Sequence, residues 1–274
     1  MSRWSERLYD SDEALDFFTT ITDRMERELS YWLSPENVQY HSRWLLEVVS
    51  IIEVLILCDR HKRGNEDYVC PEKAVERWHS VFMSVWDGDW EVDEKDEQHR
   101  LPYDERAYRD KYRSTVEKLF DYLRDKAGFL GDDLLAQETQ IPAIPLPMFS
   151  KHKWQNEFGQ KKIRTSQVVI DLIKHLEQVV IYYHSSEKWA FAISFGMEEA
   201  WAAVDMLGFV CAAYETSPGL YPQTVNAYRE MAKQNCNANN EVHGYWDENE
   251  PFFRNVSKAY DMLEAVARRY KPNY

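Results

Sequence analysis

The stretch from Trp44 to Leu57 is apolar almost all round, interrupted only by Glu47, Ser50 and Glu53. A segment of that length and composition predicts a helix enclosed on every side by other helices, which is the middle of a bundle. Its β-branched residues also suit a strand, but the run is too long for an ordinary one. His61-Lys62-Arg63-Gly64 closes it with the basic residues and glycine that suit a helix C-terminus.

The remaining segments have the complementary pattern. Leu15, Phe18, Ile21, Met25, Leu29 and Trp32 recur at three- and four-residue spacing behind the acidic turn Asp12-Glu13, as in an amphipathic helix whose first turn suits the helix dipole. Ser34-Pro35 predicts a restart, with Ser34 as N-cap and the next helix running from Pro35 to Arg60. Pro71-Glu72 opens a helix through Val75, Trp78, Phe82 and Val85, and another covers 104–126. In the second half Ser166 caps a helix through Tyr183. Further helices are expected over 187–214 (broken near Gly196), 222–235 and 251–270, with a polar loop at 235–240. The fold class that follows is all-α, a multi-helix bundle of two packed four-helix halves. Ile141-Pro142-Ala143-Ile144-Pro145-Leu146-Pro147 cannot be crossed by a helix. It places an expected Pro-rich linker at 136–161, between an acidic domain at 1–135 and a second helical domain at 162–274.

Charge divides along the chain. Of the net −14, residues 1–137 carry −12, from 19 Lys and Arg against 31 Asp and Glu. Such a surface repels nucleic acid and anionic membranes, which are bound through Lys and Arg, and attracts basic proteins. The run Asp87 to Glu97 concentrates seven carboxylates against one lysine. It fails as a calcium loop, because an origin at Asp87 puts Gly88 second instead of sixth. A solvated acidic loop is expected there. Trp86 and Trp90 within it are expected as exposed aromatic anchors, with Asp87, Asp89, Asp93, Glu94, Asp96 and Glu97 around them for contact with a partner.

Signals for catalysis are weak. A single Glu-x-x-His occurs, Glu76 to His79, where a helical di-metal site needs two, and no His-Glu-x-x-His, Gly-x-Ser-x-Gly elbow or Gly-rich phosphate loop occurs. No catalytic residue, metal ligand or cofactor is therefore assigned. Cys58, Cys70, Cys211 and Cys236 form no C-x-x-C, and their scarcity fits a reducing compartment. The N-terminus lacks an apolar core for export, and apolar runs such as Val54 to Cys58 are far too short to span a membrane. The expected location is cytoplasmic. His175 and His184 fall on a helix. His243, Tyr245, Trp246 and Asp247 form the most site-like loop of the second half, although rings plugging the neighbouring helices are the more ordinary reading.

Trp4, Tyr9, Ser11, Asp12, Glu13, Ala14, Leu15, Asp16 and Phe17 resemble the opening of a small bacterial domain family of unknown function. Its members begin with a Trp, then an aromatic, then an Asn-Asp-Asp-Ala-x-Asp-Trp-like string entering a helix. Leu46 to Ile56 is similar to the Glu-Val-Val content of the family's following helix. Ser11 stands where that family has Asn, and the glycines around its Trp are missing here. Small acidic helical proteins of this kind accompany bacterial toxins as immunity factors, so the resemblance implies an inhibitory binding protein. The expected function is neutralisation of a basic toxin or effector by protein–protein contact, with no direct nucleic-acid or membrane binding. The alternatives are an enzyme with an unfamiliar helical site near His243, or an inhibitor that mimics nucleic acid by its charge.

Overall fold

The computed structural model describes residues 11–62, 72–89, 106–125, 151–155, 161–185, 197–238 and 246–270. These hold eight helices: α1 (Asp12–Trp32), α2 (Ser42–Lys62), α3 (Glu72–Trp86), α4 (Arg106–Asp125), α5 (Gln167–Tyr183), α6 (Met197–Ala213), α7 (Pro222–Ala238) and α8 (Pro251–Arg269). The all-α, multi-helix expectation holds. One element was not legible. Strands β1 (Lys151–Gln155) and β2 (Lys161–Thr165) pair antiparallel, with Lys153 opposite Ile163. The start of this hairpin falls inside the stretch expected as linker.

The chain forms two compact units, Thr22–Val169 and Met1–Ile21 with Ile170–Tyr274. A division at 136–161 would keep α1 whole within the first half. The units instead part inside α1, after Ile21, and inside α5, after Val169.

In the unit Thr22–Val169, α2 is the enclosed helix its sequence demands. Every residue from Trp44 to Cys58 is buried, Glu47, Ser50 and Glu53 included. Phe82 of α3 joins the aromatic core, stacking at 6.1 Å on Trp44 and 5.6 Å on Trp86 and lying 5.4 Å from Phe120 of α4. Large rings bury the most apolar area per residue, and they form the centre of this unit. Three buried polar groups seal helix ends here. Glu47 accepts the backbone N–H groups of Gln167 (3.0 Å) and Val168 (3.1 Å), while Ser166 Oγ accepts that of Val169 (3.3 Å). Three of the four orphan donors that open α5 are thereby satisfied. Arg109 of α4 is 4% exposed and donates to the carbonyls of Trp86 and Gly88 at the C-terminal end of α3.

The expected helix start at Pro35 is corrected. Ser34 Oγ and Asn37 Nδ2 both donate to the carbonyl of Tyr31. They close the end of α1 rather than open α2. The next helix begins at Ser42, where His41 Nδ1 accepts the N–H of Trp44 (3.1 Å).

In the second unit α6 is apolar around its circumference and packs along α8. Gly208 makes the close approach, since a Cβ there would lie 3.2 Å from the backbone nitrogen of Leu263. Trp201 meets Phe252 and Phe253 edge-on at 5.5 and 6.1 Å. The polar loop expected at 235–240 is also corrected up to Ala238. α7 continues through Asn235 and Asn237 because Cys236, on its inner face, is fully buried.

Candidate functional site

The acidic surface begins where α3 ends. Asp87 and Gly88 continue its last turn, their N–H groups donating to the carbonyls of Met83 (2.9 Å) and Val85 (3.1 Å). Trp86 is 2% exposed and stacks on Phe82. The expectation that it is an exposed anchor is therefore corrected. It lies on the inner face of an amphipathic helix, in step with Trp78, Phe82 and Val85.

Asp87 and Asp89 are on the surface, and α4 answers both. Arg113 pairs with Asp87, and Arg106 lies 2.5 Å from Asp89. The chain of charge continues inward along the helix pair. Arg113 also approaches Glu117 (3.9 Å), whose other oxygen lies 2.6 Å from His79 Nε2. Exposed pairs of this kind contribute little to stability and are screened by salt. Trp90, Asp93, Glu94, Asp96 and Glu97 lie outside the described residues.

Among the described residues, an exposed ring that stands at this acidic end is Tyr40. It is 54% exposed, and its Cδ1 would lie 3.5 Å from a Cβ built on Gly88. Tyr31, 60% exposed, sits edge-on to Trp32 at 5.9 Å. Its carbonyl anchors the turn made by Ser34 and Asn37. Sequence reading missed both tyrosines. The available signal was a pair of rings flanking a Ser-Pro-Glu-Asn turn, on a connection too polar to bury them.

The second loop resolves in part. Trp246 stacks on Phe253 at 5.1 Å and lies edge-on to Trp201 at 6.0 Å, so its ring closes onto the neighbouring helices. Asp247 accepts from the backbone and side-chain N–H groups of Asn249 (both 2.8 Å) in the approach to α8. His243 and Tyr245 lie outside the described residues.

Of the other histidines, His184 is buried. Its Nδ1 lies 2.6 Å from the carbonyl of Val180 and its Nε2 2.7 Å from the hydroxyl of Tyr260. Nδ1 therefore carries the proton it donates to the carbonyl, and Nε2 accepts from the tyrosine. Burial drives the ring's pKa down to about 4, keeping it neutral. Burial likewise pushes the Cys58 thiol up to about 12 and that of Cys236 to about 11, which leaves both in the unreactive protonated form.

Among the described residues no group of three or more His, Cys, Asp and Glu is placed to hold a metal ion. Among them, too, no helix is long and apolar enough to cross a membrane. No family model, no curated protein and no solved structure matches this chain.

Proposed function

We propose that this chain is an acidic binding protein of the immunity or antitoxin kind, which holds and blocks a basic protein partner in the cytoplasm. The observation that carries the reading is the exposed ring of Tyr40 beside Asp87–Asp89, in the half of the chain that holds nearly all the net negative charge. A rigid aromatic bordered by carboxylates is the pattern of an anchor with steering charge around it. Tyr31, in the last turn of α1, is a second exposed ring at the start of the α1–α2 connection. Arg106 and Arg113 temper the field of Asp87 and Asp89, so long-range attraction falls to the half as a whole, while these two acids exchange partners on contact.

The test compares two baits at low salt, the wild-type chain and a Tyr40→Ala/Asp89→Asn double variant. The expected result is a basic protein retained stoichiometrically by the wild type, released by added salt and lost by the variant. Expressed alone, that partner is expected to arrest growth, and co-expression of the wild-type chain relieves the arrest. Equal retention by both baits, or arrest that co-expression leaves in place, overturns the proposal.

A further inference from the structure

Glu177 has an environment that its sequence position does not announce. It lies on α5, half-buried, and its carboxylate accepts the backbone N–H of Gly219 in the turn between α6 and α7. The approach is close enough to exclude any side chain at 219, since a Cβ built there would lie 2.3 Å from Oε1 and 2.8 Å from Oε2. Burial raises the pKa of the Cys211 thiol on α6 and of the Tyr228 phenol on α7, and the same carboxylate adds to both shifts. Three helices and a turn therefore converge on one acid. Tyr228 is fixed in turn by stacking on His184 at 4.6 Å.

Among the described residues no lysine or arginine forms an ion pair with Glu177, Lys174 one turn earlier on α5 included. Burial without a counter-charge lifts its pKa, with the Gly219 N–H opposing. A half-buried carboxylate held in that state costs free energy that an incoming cation would recover.

The surroundings suit a cation carried on an apolar segment. Ile181 follows Glu177 by one turn on α5 and is exposed, Tyr182 is its neighbour, and Tyr221 stands two residues beyond Gly219. They make up three of the five large hydrophobic residues that the described part of the chain leaves exposed. Apolar and aromatic groups around a desolvated carboxylate accept a methylene stem and its charged head together.

We propose that Glu177, with exposed Ile181 one turn on along α5 and exposed Tyr221 two residues beyond Gly219, is a docking site for a lysine side chain presented on an apolar segment of a protein partner. Lysine is favoured over arginine because Gly219 already occupies one edge of the carboxylate, which leaves a point contact rather than a two-pronged one. The proposal stands apart from the surface at Asp87–Asp89, so either can fail alone.

The experiment titrates the full-length chain with acetyl-Leu-Phe-Lys-Leu-Leu-amide and with the same peptide carrying acetyllysine, followed by calorimetry. The lysine peptide is expected to bind about tenfold more tightly than the acetylated one, as befits a charge-assisted contact. Glu177→Gln, whose amide oxygen still accepts from Gly219, abolishes that preference while circular dichroism stays unchanged. Tyr221→Ala, on an exposed ring, weakens both peptides. Equal binding of the two peptides, binding of neither, or a preference that survives Glu177→Gln overturns the site. An arginine peptide that binds as tightly as the lysine one overturns the choice of lysine.

Discussion

Single carboxylates do unequal work in this chain. Glu47 is a buried acid on an apolar helix, and its carboxyl group points inward because two N–H groups of another helix donate to it. Glu47→Ala strands both donors and is expected to lower stability by about 2–3 kcal/mol, read from the urea midpoint. Glu47→Gln keeps one acceptor and falls between. A pair of variants indistinguishable from wild type would refute the capping role. The residue was visible in the sequence as an anomaly, but its partner lies 120 positions away and no local pattern points to it. Two other groups make stability depend on pH in opposite directions. His184 has its pKa lowered from the ordinary 6.5 to about 4, so the unfolded chain takes up a proton that the fold refuses. Its contribution is whole above pH 6.5 and is lost as pH falls toward 4. Glu198 is half-buried, hydrogen-bonded to Ser11 and Glu13, and its pKa is raised from 4.5 to about 7, first by burial and then by Glu13 and Asp12. Here the fold binds the proton more tightly, so stability is whole below pH 4.5 and is lost as pH rises through 7. Urea unfolding across pH 4 to 8 is expected to show Glu198→Gln gaining on wild type toward the alkaline end, with the two converging at the acid end. Parallel curves would refute that assignment.

Elements were legible wherever burial follows a period. α1, α3 and α4 bury the stripes that their apolar residues mark, and α2 is enclosed as its composition requires. Element ends were less legible, because a cap is a choice among several side chains that all look competent. Ser34 resembles an N-cap, yet its hydroxyl completes the helix before it. Asn235 and Asn237 look like loop residues, yet burial of Cys236 between them carries the helix on. The β1–β2 hairpin had no readable signal, since Lys151–Gln155 and Lys161–Thr165 are polar and short. The candidate surface was half legible for the same reason that ends are difficult. The acidic run announced itself, but whether Trp86 faced inward depended on the register of α3 to its last residue, and one step of a helix turns a side chain by about 100°.

For the whole molecule, the sequence marked its most visible break, the three prolines at 142–147, as the division. The compact units instead part within α1 and α5, where no composition shift occurs, because a helix longer than one core can serve two. Met1–Ile21 belongs with the residues after 170, and Glu198 of α6 bonds to Ser11 and Glu13 in keeping with that. A lesion in one unit should therefore reach only part of α1. Gly208 offers the lesion. Its position faces the Leu263 backbone at 3.2–3.4 Å, so Gly208→Val wedges α6 from α8 and is expected to cost roughly 1–3 kcal/mol. Hydrogen exchange on the full chain then reads how far the damage spreads. Faster exchange is expected in α6, in α8 and in α1 up to Ile21, with α2, α3, α4 and the residues of α1 beyond Thr22 unchanged. If all of α1 moves with α2–α4, the molecule divides at the prolines. If every helix loosens together, the two units are one cooperative body, and the boundary inside α1 has no energetic meaning.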